Sequence, residues 1–175
     1  MEKPLASRLK KVKLLLLDVD GVLTDGRIIY DSRGGDMKFF DVHDGMGVHL
    51  LKKAGIPTIL VTAKGSKAIT PRAKDMQVAE LFEDVSPKVS VLDKILKKYK
   101  ADSSELCFVG DDLVDVCLMK RIGLPIAVAN ACPEVKRAAK YITRKQGGRG
   151  AVREVAELIL KAKGKWEGLI SYYEA

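Results

Sequence analysis

The sequence predicts an α/β fold, in which an open parallel sheet of Rossmann-like topology carries helices on both faces. Short apolar segments alternate with segments of helical periodicity along the chain, and this alternation is typical of parallel sheets. The strand segments are apolar at nearly every position, as in residues 12–17 (VKLLLL), which indicates burial on both faces. The length of 175 residues suits one domain over residues 1–175 with a sizeable core.

Each element follows from a local pattern. Residues 12–17 form the first strand and end at an acidic, glycine-bearing turn over residues 18–26. Two short segments around a glycine-rich turn then predict a β-hairpin over residues 27–42, which projects as a flap after the first strand. The other strands are predicted over residues 57–62, 79–82, 105–109, 124–128 and 140–142.

Helices fill the intervals between the strands. They are predicted over residues 44–54, 66–76, 87–99, 112–120, 133–139 and 150–163. Pro71 breaks the second of these helices or starts a new first turn in it. A tail over residues 164–175, rich in aromatic residues, ends the chain.

Composition excludes several classes of protein. A hydrophobic fraction of 47% and a charged fraction of 31% are typical of globular domains and exclude disordered, collagen-like and disulfide-scaffold proteins. Purely apolar runs are no longer than four residues, as in residues 14–17, and are too short to cross a bilayer, so no membrane partner is expected. Three cysteines without CxxC spacing favour a reducing, cytoplasmic location.

The net charge of +8 comes from 31 basic and 23 acidic residues. The excess is spread over three stretches without interleaved aromatic residues for base stacking, so nucleic acid is not the expected partner. Solvated helix faces account for most of this charge, and attraction of an anionic small substrate is the alternative.

Polar side chains follow three of the predicted strands. Asp18 and Asp20 follow the first strand, Thr62 follows the second, and Asp111 and Asp112 follow residues 105–109. The carboxyl ends of parallel strands meet at one edge of a sheet, which is where open α/β folds bind their ligands. We therefore expect these side chains to form one site.

Crowded carboxylates repel one another, and Lys88, at the start of a predicted helix, together with a divalent cation would relieve that repulsion. The cation should be Mg²⁺, because the available ligands are carboxylate and carbonyl oxygens, with no Cys or His at ligand spacing. Enzymes build a phosphoryl-accepting nucleophile by placing an aspartate beside Mg²⁺ and a cationic side chain. The pattern thus predicts a metal-dependent phosphoryl-transfer site.

These motifs resemble the four motifs of the haloacid dehalogenase superfamily of aspartate-nucleophile phosphatases. The matching segments are residues 18–24 (DVDGVLT), Thr62, Lys88 and residues 110–115 (GDDLVD). Residues 41–45 (DVHDG), residues 147–155 (GGRGAVREV) and the tail are similar to the branch that hydrolyses 3-deoxy-D-manno-octulosonate 8-phosphate (Kdo 8-phosphate) in lipopolysaccharide biosynthesis. The resemblance covers nearly the whole chain.

The resemblance implies catalytic roles for Asp18, Asp20, Thr62 and Lys88. Asp18 would attack phosphorus and form an aspartyl-phosphate. Asp20 would protonate the leaving sugar oxygen and then take a proton from the hydrolytic water. The Thr62 hydroxyl and the Lys88 ammonium would hold phosphoryl oxygens in the transition state.

It also implies a magnesium site. Asp18, the backbone carbonyl of Asp20 and Asp111 would bind Mg²⁺. Asp112 and Asp115 would orient metal-bound water and Lys88. For Asp115, a purely structural role as an acid in the first helical turn is the alternative.

The resemblance also implies which residues contact the substrate, and five of them are consecutive at residues 41–45. The implied contacts are Asp20, Asp41, Val42, His43, Asp44, Gly45, His49, Lys64, Arg72 and Lys88. Lys64 and Arg72 are expected to bind the carboxylate of the α-keto acid, although Lys64 stands where the branch commonly has arginine and lacks the bidentate fork. His49 could instead face the sheet or solvent.

A nine-carbon substrate, such as a sialic acid or Kdn 9-phosphate, is the alternative within the superfamily. In one such branch the residue two positions after the motif threonine is acidic, so Lys64 favours the Kdo substrate. Outside phosphatases, receiver domains also combine acidic residues, Thr and Lys, but their phosphate-accepting aspartate follows the third strand. A non-catalytic scaffold is the remaining alternative.

The flap and one helix fill the chain between Asp20 and Thr62, so no inserted cap domain is expected. The resemblance implies a homotetramer, in which the flap and tail of adjacent chains cover the open site. Packing of the tail on its own chain is the alternative.

Overall fold

The computed structural model describes residues 3–30, 32 and 35–174, and it contains a large parallel sheet and a small hairpin. The strands are β1 (Leu14–Leu17), β2 (Ile29–Tyr30), β3 (Asp36–Met37), β4 (Thr58–Val61), β5 (Glu80–Phe82), β6 (Leu106–Gly110), β7 (Leu124–Ala127) and β8 (Tyr141–Ile142). Six of them lie parallel in the order β5–β4–β1–β6–β7–β8, while β2 and β3 pair antiparallel. The predicted parallel sheet and the hairpin after β1 are confirmed.

The helices fill the connections between the strands. They are α1 (Lys3–Lys11), α2 (Val42–Lys53), α3 (Ile69–Asp75), α4 (Leu92–Tyr99), α5 (Val116–Met119), α6 (Pro133–Ala138), α7 (Ala151–Ala162) and α8 (Trp166–Glu174). Short 3₁₀ turns cover Lys88–Val91, Ser103–Glu105 and Leu113–Asp115. Among the described residues these connections leave no inserted cap domain. None of the helices described is long and apolar enough to cross a membrane.

Both faces of the sheet are covered. Every residue of β1, β4, β6 and β7 is buried, which requires helices on the two sides. Helix α7 packs along α2 and also contacts α1 and α8, while α5 packs against α6. Burial of continuous apolar strands is the main driving force for this arrangement.

The register of the central strands sets the position of the site. Leu17 of β1 lies opposite Leu60 of β4 and opposite Val109 of β6. The carboxyl ends of three strands therefore stand at one level, and the residues that follow them share one edge of the sheet.

The flap is shorter than the sequence predicts. Its strands have two residues each, and the chain from Lys38 to Asp41 is irregular. Helix α2 begins at Val42, two residues earlier than expected, because the Asp41 side chain caps it by accepting a hydrogen bond from the His43 N–H at 2.7 Å. Residues 31, 33 and 34 of the predicted turn lie outside the described residues.

Two terminal helices were not predicted. Helix α1 forms where the sequence shows only a basic stretch, and its Leu9 is buried in the core. The predicted tail is helix α8, in which Trp166 and Leu169 pack against the core of the same chain. The Lys53 ammonium lies 3.5 Å from the centre of the Tyr172 ring, a cation–π contact that also ties the tail to its own chain.

Asp44 joins α2 to α7. Its side chain is 0% exposed and accepts hydrogen bonds from the N–H groups of Gly150 (3.2 Å) and Arg153 (2.9 Å). These donors lie at the N-cap and in the first turn of α7, so Asp44 caps that helix from another element. The two helices touch next to it, since a Cβ on Gly47 would lie 2.9 Å from the Arg153 Cα.

Replacing Asp44 by alanine should destabilise the fold. The N–H groups of Gly150 and Arg153 would lose their acceptor, at a cost of about 2 kcal/mol in the free energy of unfolding. Urea denaturation of wild type and Asp44→Ala measures this loss. A difference below about 0.5 kcal/mol would show that Asp44 does not hold the two helices together.

The same substitution should change the pH dependence of stability. Burial raises the pKa of Asp44 to about 6. The backbone N–H donors of α7 lower this pKa, and the negative charge of Asp41 raises it further. The folded chain therefore binds more protons than the unfolded chain between about pH 4 and pH 6, and stability falls as pH rises through that window. The difference in unfolding free energy between wild type and Asp44→Ala should accordingly shrink from pH 4 to pH 6.

Candidate active site

Asp18 stands at the centre of the strand-end edge. It directly follows β1, and its N–H donates to the Val109 carbonyl of the neighbouring strand at 3.1 Å. Its side chain is buried, and Oδ1 accepts a hydrogen bond from the Val19 N–H at 2.7 Å. The carboxylate is thus fixed by the backbone of its own turn.

Lys88 reaches the same carboxylate from the 3₁₀ turn after β5. Its side chain is 1% exposed, and Nζ lies 2.7 Å from Asp18 Oδ1 and 2.6 Å from Asp115 Oδ1. Burial by itself would lower the pKa of Lys88, but the charges of Asp18 and Asp115 more than offset it, and the pKa is raised. A buried ammonium therefore sits between two carboxylates.

Asp115 uses its second oxygen to order the loop after β6. Oδ2 accepts hydrogen bonds from the Asp111 N–H at 2.8 Å and from the Asp112 N–H at 3.4 Å. The side chain of Asp112 accepts from the N–H of Leu113 at 2.7 Å and so begins the 3₁₀ turn. Both oxygens of Asp115 are thereby engaged within the protein.

Asp18 and Asp111 offer carboxylate oxygens to a divalent cation, and Asp115 adds its negative charge beside them. Oxygen atoms of Asp18, Asp111 and Asp115 lie within 4.8 Å of one another. Oδ1 of Asp111 is buried and has no hydrogen-bond partner among the residues described. Burial and, next, the charge of Asp115 raise the pKa of Asp18 to about 7, and burial with the nearby carboxylates raises that of Asp111 to about 8. An all-oxygen set that is short of positive charge suits Mg²⁺.

A glycine allows this close approach. Gly21 has a φ of +82°, and a Cβ there would lie 1.9 Å from Asp111 Oδ2. The Thr24 hydroxyl oxygen accepts from the N–H groups of Gly21 and Gly26, each at 3.2 Å. Gly147 packs on the same turn, where its own Cβ would lie 1.7 Å from the Gly21 carbonyl oxygen. The glycine-rich segment before α7 thus supports the Asp18–Gly26 turn from behind.

Thr62 and Lys64 complete a cleft of about 210 Å³ over the carboxylates. Thr62 Oγ1 donates to the Lys64 carbonyl at 3.1 Å, which shapes the loop after β4. Lys64 Nζ lies 3.4 Å from the Tyr30 hydroxyl of the flap. The cleft is lined by Asp18, Asp20, Gly21, Gly26, Thr62, Ala63, Lys64, Asp111, Asp112 and Val114.

Lys38 is a site residue that sequence reasoning missed. It follows β3 of the flap, and its Nζ lies 2.5 Å from Asp20 Oδ1. A single lysine in a hairpin carries no local signal of such a contact, because the pairing depends on how the flap folds back over the turn after β1.

The predicted substrate contacts lie in different places. Asp41, Val42 and His43 line a neighbouring cleft of about 460 Å³, together with Asp25, Arg27, Phe39, Phe40, Gly148 and Arg149. His43 is exposed, with Nδ1 3.2 Å from Asp41 Oδ1. Of the predicted contacts, Asp20 and Lys64 line the cleft over the carboxylates, and Lys88 reaches Asp18 beneath it.

The remaining predicted contacts belong to the packing of α2. The Asp44 carboxylate is buried against α7, as described above. Arg72 donates to the Asp41 carbonyl at 2.8 Å and lies so close to Gly45 that a Cβ there would be 2.5 Å from Arg72 Nη2. His49 is half-buried on α2.

The volume of a concavity does not identify the site. A concavity of about 660 Å³ between α1, α6, β8 and α7 is larger, but its lining contains basic and apolar residues without a carboxylate. The smaller cleft at the strand ends holds the acidic cluster and the buried lysine.

Three features together define a class of aspartate-based phosphoryl-transfer hydrolases. A buried aspartate follows the first strand of a parallel sheet, a lysine contacts that aspartate, and an acidic loop follows β6. The profile of the haloacid dehalogenase-like hydrolase family matches residues 61–155.

Particular relatives narrow the class. The chain is 38% identical over 161 residues to the 3-deoxy-D-manno-octulosonate 8-phosphate phosphatase KdsC of Yersinia pestis, which covers 92% of this chain and 86% of the relative. The structure of the Moraxella catarrhalis phosphatase, in complex with magnesium ion, phosphate ion and KDO, superimposes with a TM-score of 0.96 at 37% identity over 99% of each chain. The cobalt-bound Haemophilus influenzae enzyme matches at 34% identity and a TM-score of 0.87, over 90% of this chain and 92% of that one. The chain therefore belongs to the haloacid dehalogenase-like hydrolases and is, within them, a homologue of the Kdo 8-phosphate phosphatases.

Replacing Lys88 by methionine should strongly destabilise the metal-free protein. Asp18 and Asp115 would face each other without a cation, and breaking a buried ion pair in this way costs about 3–5 kcal/mol. Urea denaturation in the presence of a chelator measures the loss at about pH 5 and about pH 8. The loss should be smaller at the lower pH, where the Asp18 carboxyl group, whose pKa is raised, takes up a proton.

Lys98→Met is the matched control, because Lys98 pairs with Glu80 on the exposed surface. Its effect should be within about 1 kcal/mol. Equal losses for the two variants would contradict the special role of Lys88.

Proposed function

We propose that this chain is a Mg²⁺-dependent phosphomonoesterase that converts Kdo 8-phosphate to Kdo and phosphate in lipopolysaccharide biosynthesis. The observation that carries the proposal is the contact between the buried Asp18 carboxylate and Lys88, 2.7 Å apart, beside the orphaned oxygen of Asp111. The relatives that share more than a third of their residues over nearly the whole chain support the choice of substrate.

Asp18 is the nucleophile in this proposal. Lys88 and the Val19 N–H both hold Oδ1, which leaves Oδ2 to form the new bond to phosphorus. As that bond forms, the ester P–O bond breaks and its electron pair passes to the sugar oxygen. Asp20, which lines the same cleft, gives that oxygen a proton, and the product is Kdo with an aspartyl-phosphate on Asp18.

The second step reverses the proton flow. The Asp20 carboxylate takes a proton from a water molecule as the water oxygen attacks phosphorus. The bond between phosphorus and Asp18 breaks, inorganic phosphate leaves and Asp18 is regenerated. The Lys88 ammonium, and the Thr62 hydroxyl once it has turned away from the Lys64 carbonyl, hold the equatorial oxygens, on which negative charge accumulates in both steps.

Asp18, the backbone carbonyl of Asp20 and Asp111 would hold the magnesium ion. When bound, Mg²⁺ neutralises the crowded carboxylates and the phosphoryl charge. Asp115 acts through its contacts with Lys88 and the Asp111 N–H, and Asp112 shapes the following turn. We assign these two residues to orienting the site, not to binding the ion.

Lys64 is the candidate for recognition of the sugar acid. It lines the cleft beside Thr62 and carries the charge that a carboxylate requires. An acidic residue stands at this position in one branch that acts on nine-carbon sugar acids, so Lys64 favours Kdo 8-phosphate over a sialic acid or Kdn 9-phosphate.

The other substrate contacts are proposed to act between subunits. Asp41, Val42 and His43 line a separate cleft of the same chain, from which they could serve the site of a neighbour. Arg72 would support them through its bond to the Asp41 carbonyl. Asp44, Gly45 and His49 contribute by fixing the start of α2.

The exposed apolar surface around the flap supports assembly of several chains, which we propose is the homotetramer implied by the family resemblance. Its large side chains are Ile28, Tyr30, Met37, Phe39 and Val42, all exposed. Exposed apolar side chains grouped along one short segment are typical of a protein–protein interface, and a two-stranded hairpin needs further packing to be stable. The three free cysteines support a cytoplasmic location for the assembly.

Hydrolysis of a substrate series tests the function. Phosphate release with Mg²⁺ should be fastest from Kdo 8-phosphate, slower from a sialic acid 9-phosphate and simple sugar phosphates, and abolished by a chelator. Asp18→Asn should lower turnover by about a thousandfold or more, because an amide is no nucleophile. Asp102→Asn, at the opposite end of the sheet, should leave turnover unchanged. Retained activity in Asp18→Asn would exclude the proposed nucleophile.

A charge on the flap should break the assembly. Phe39→Asp places a carboxylate in the apolar patch, and light scattering after size-exclusion chromatography should show a smaller particle than wild type. Ile142→Asp, on edge strand β8, is a control with a similar change on a partly exposed residue. A wild-type monomer, or an unchanged mass for Phe39→Asp, would refute an interface at the flap.

A further inference from the structure

Lys38 is unusually buried for a lysine on a short hairpin. Its side chain is only 5% exposed, although the flap around it presents many exposed residues. Removing an ammonium from water is costly unless it finds a charged partner. Its partner is Asp20, whose Oδ1 lies 2.5 Å from Lys38 Nζ.

The contact belongs to a chain of polar interactions between the flap and the loop after β4. Lys38 Nζ also lies 3.7 Å from Asp36 Oδ2. The Ser66 hydroxyl donates to Asp36 Oδ1 at 2.9 Å and accepts from the Ala68 N–H at 3.1 Å. The flap is therefore tied at one end to Ser66 and at the other to Asp20.

The Asp20 side chain needs such a tie. It is 31% exposed, so without a partner its carboxylate would be free to rotate in the open cleft. Proton transfer requires the acid within hydrogen-bond distance of the ester oxygen, and a misplacement of about 1 Å can cost about a hundredfold in rate.

We infer that Lys38 is a positioning residue, which holds Oδ1 of Asp20 so that Oδ2 faces the ester oxygen of the substrate. The inference rests on the proposed function, in which Asp20 is the general acid and base. The proton on Oδ2 moves to the ester oxygen as the P–O bond breaks, and the carboxylate that remains stays bound to the Lys38 ammonium. In the second step the same oxygen accepts a proton from water.

The test compares two leaving groups in a single turnover. Loss of a sugar alkoxide needs a proton, whereas loss of p-nitrophenolate does not. Rapid acid quenching of Lys38→Met should show formation of the phosphoenzyme from Kdo 8-phosphate slowed about 10- to 100-fold, with formation from p-nitrophenyl phosphate within about threefold of wild type. KM for the sugar phosphate should change by less than about threefold. Lys38→Arg keeps a cation at this position and should recover most of the rate.

Two further variants make the test decisive. Lys98→Met removes an ion-paired lysine elsewhere on the surface and should change neither rate. Asp36→Asn weakens the contact between Asp36 and Lys38 but keeps the lysine. It should slow phosphoenzyme formation from the sugar phosphate by a smaller factor than Lys38→Met does, and leave the rate with the aryl phosphate unchanged.

Several outcomes would overturn the inference. Equal slowing with both leaving groups would assign Lys38 a structural role, and a higher KM with an unchanged rate would assign it to substrate binding. If Lys38→Met does not fold, equal rates for Asp36→Asn and wild type would also refute it. If the wild-type protein forms phosphoenzyme from another sugar phosphate but not from Kdo 8-phosphate, only the proposed substrate is overturned. The comparison of sugar and aryl leaving groups then uses that other sugar phosphate. Absence of any phosphoenzyme in wild type would overturn both proposals.

Discussion

The Lys88 ammonium, buried between the Asp18 and Asp115 carboxylates, is the interaction on which the site depends. The sheet brings strand ends together at one level, and the polar residues that follow them would repel one another without a cation. Through Asp115 the same ammonium is connected to the N–H of Asp111, so one charge organises the loops after β1 and β6. Its cost in desolvation is offset only because both carboxylates remain in contact with it.

The rest of the structure supports this edge from two sides. On the side of α7, Asp44 caps that helix, and the glycine-rich segment before it packs against Gly21. Gly21, which lacks a side chain, leaves room for the Asp111 carboxylate. From above, the flap reaches Asp20 through Lys38 and the loop after β4 through Asp36. The helical layer and the flap are therefore both in contact with the proposed catalytic turn, and a change in either is transmitted to it through a few named contacts.

The described residues contain no cap domain, so the proposed catalytic residues and the proposed substrate contacts must both come from the sheet domain and its flap. The proposed chemistry requires residues of one chain alone, because the residues assigned to it lie at the strand ends of a single sheet or contact those strand ends. Of the residues proposed to contact the sugar acid, Lys64 lines the same cleft as the carboxylates, whereas those at the start of α2 line a separate cleft. An exposed apolar flap and an open site are complementary features, since assembly of several chains would bury the first and narrow the second.

The sequence by itself determined the six-stranded sheet, its flap, the set of polar residues at the strand ends and the family, because these are local patterns: continuous apolar segments mark buried strands, and residues 18–24 and 110–115 carry their chemistry in adjacent positions. Only the tertiary structure decided that Asp44 caps α7, that Lys38 holds Asp20, that the flap strands end at Met37, and that the tail is a helix docked on its own chain. Each of these depends on a partner that is distant in sequence: Asp44 and Arg153 are 109 positions apart and Lys38 and Asp20 are 18 apart. A lysine or an aspartate has the same local pattern whether its partner is water or a buried group, and packing alone selects between them.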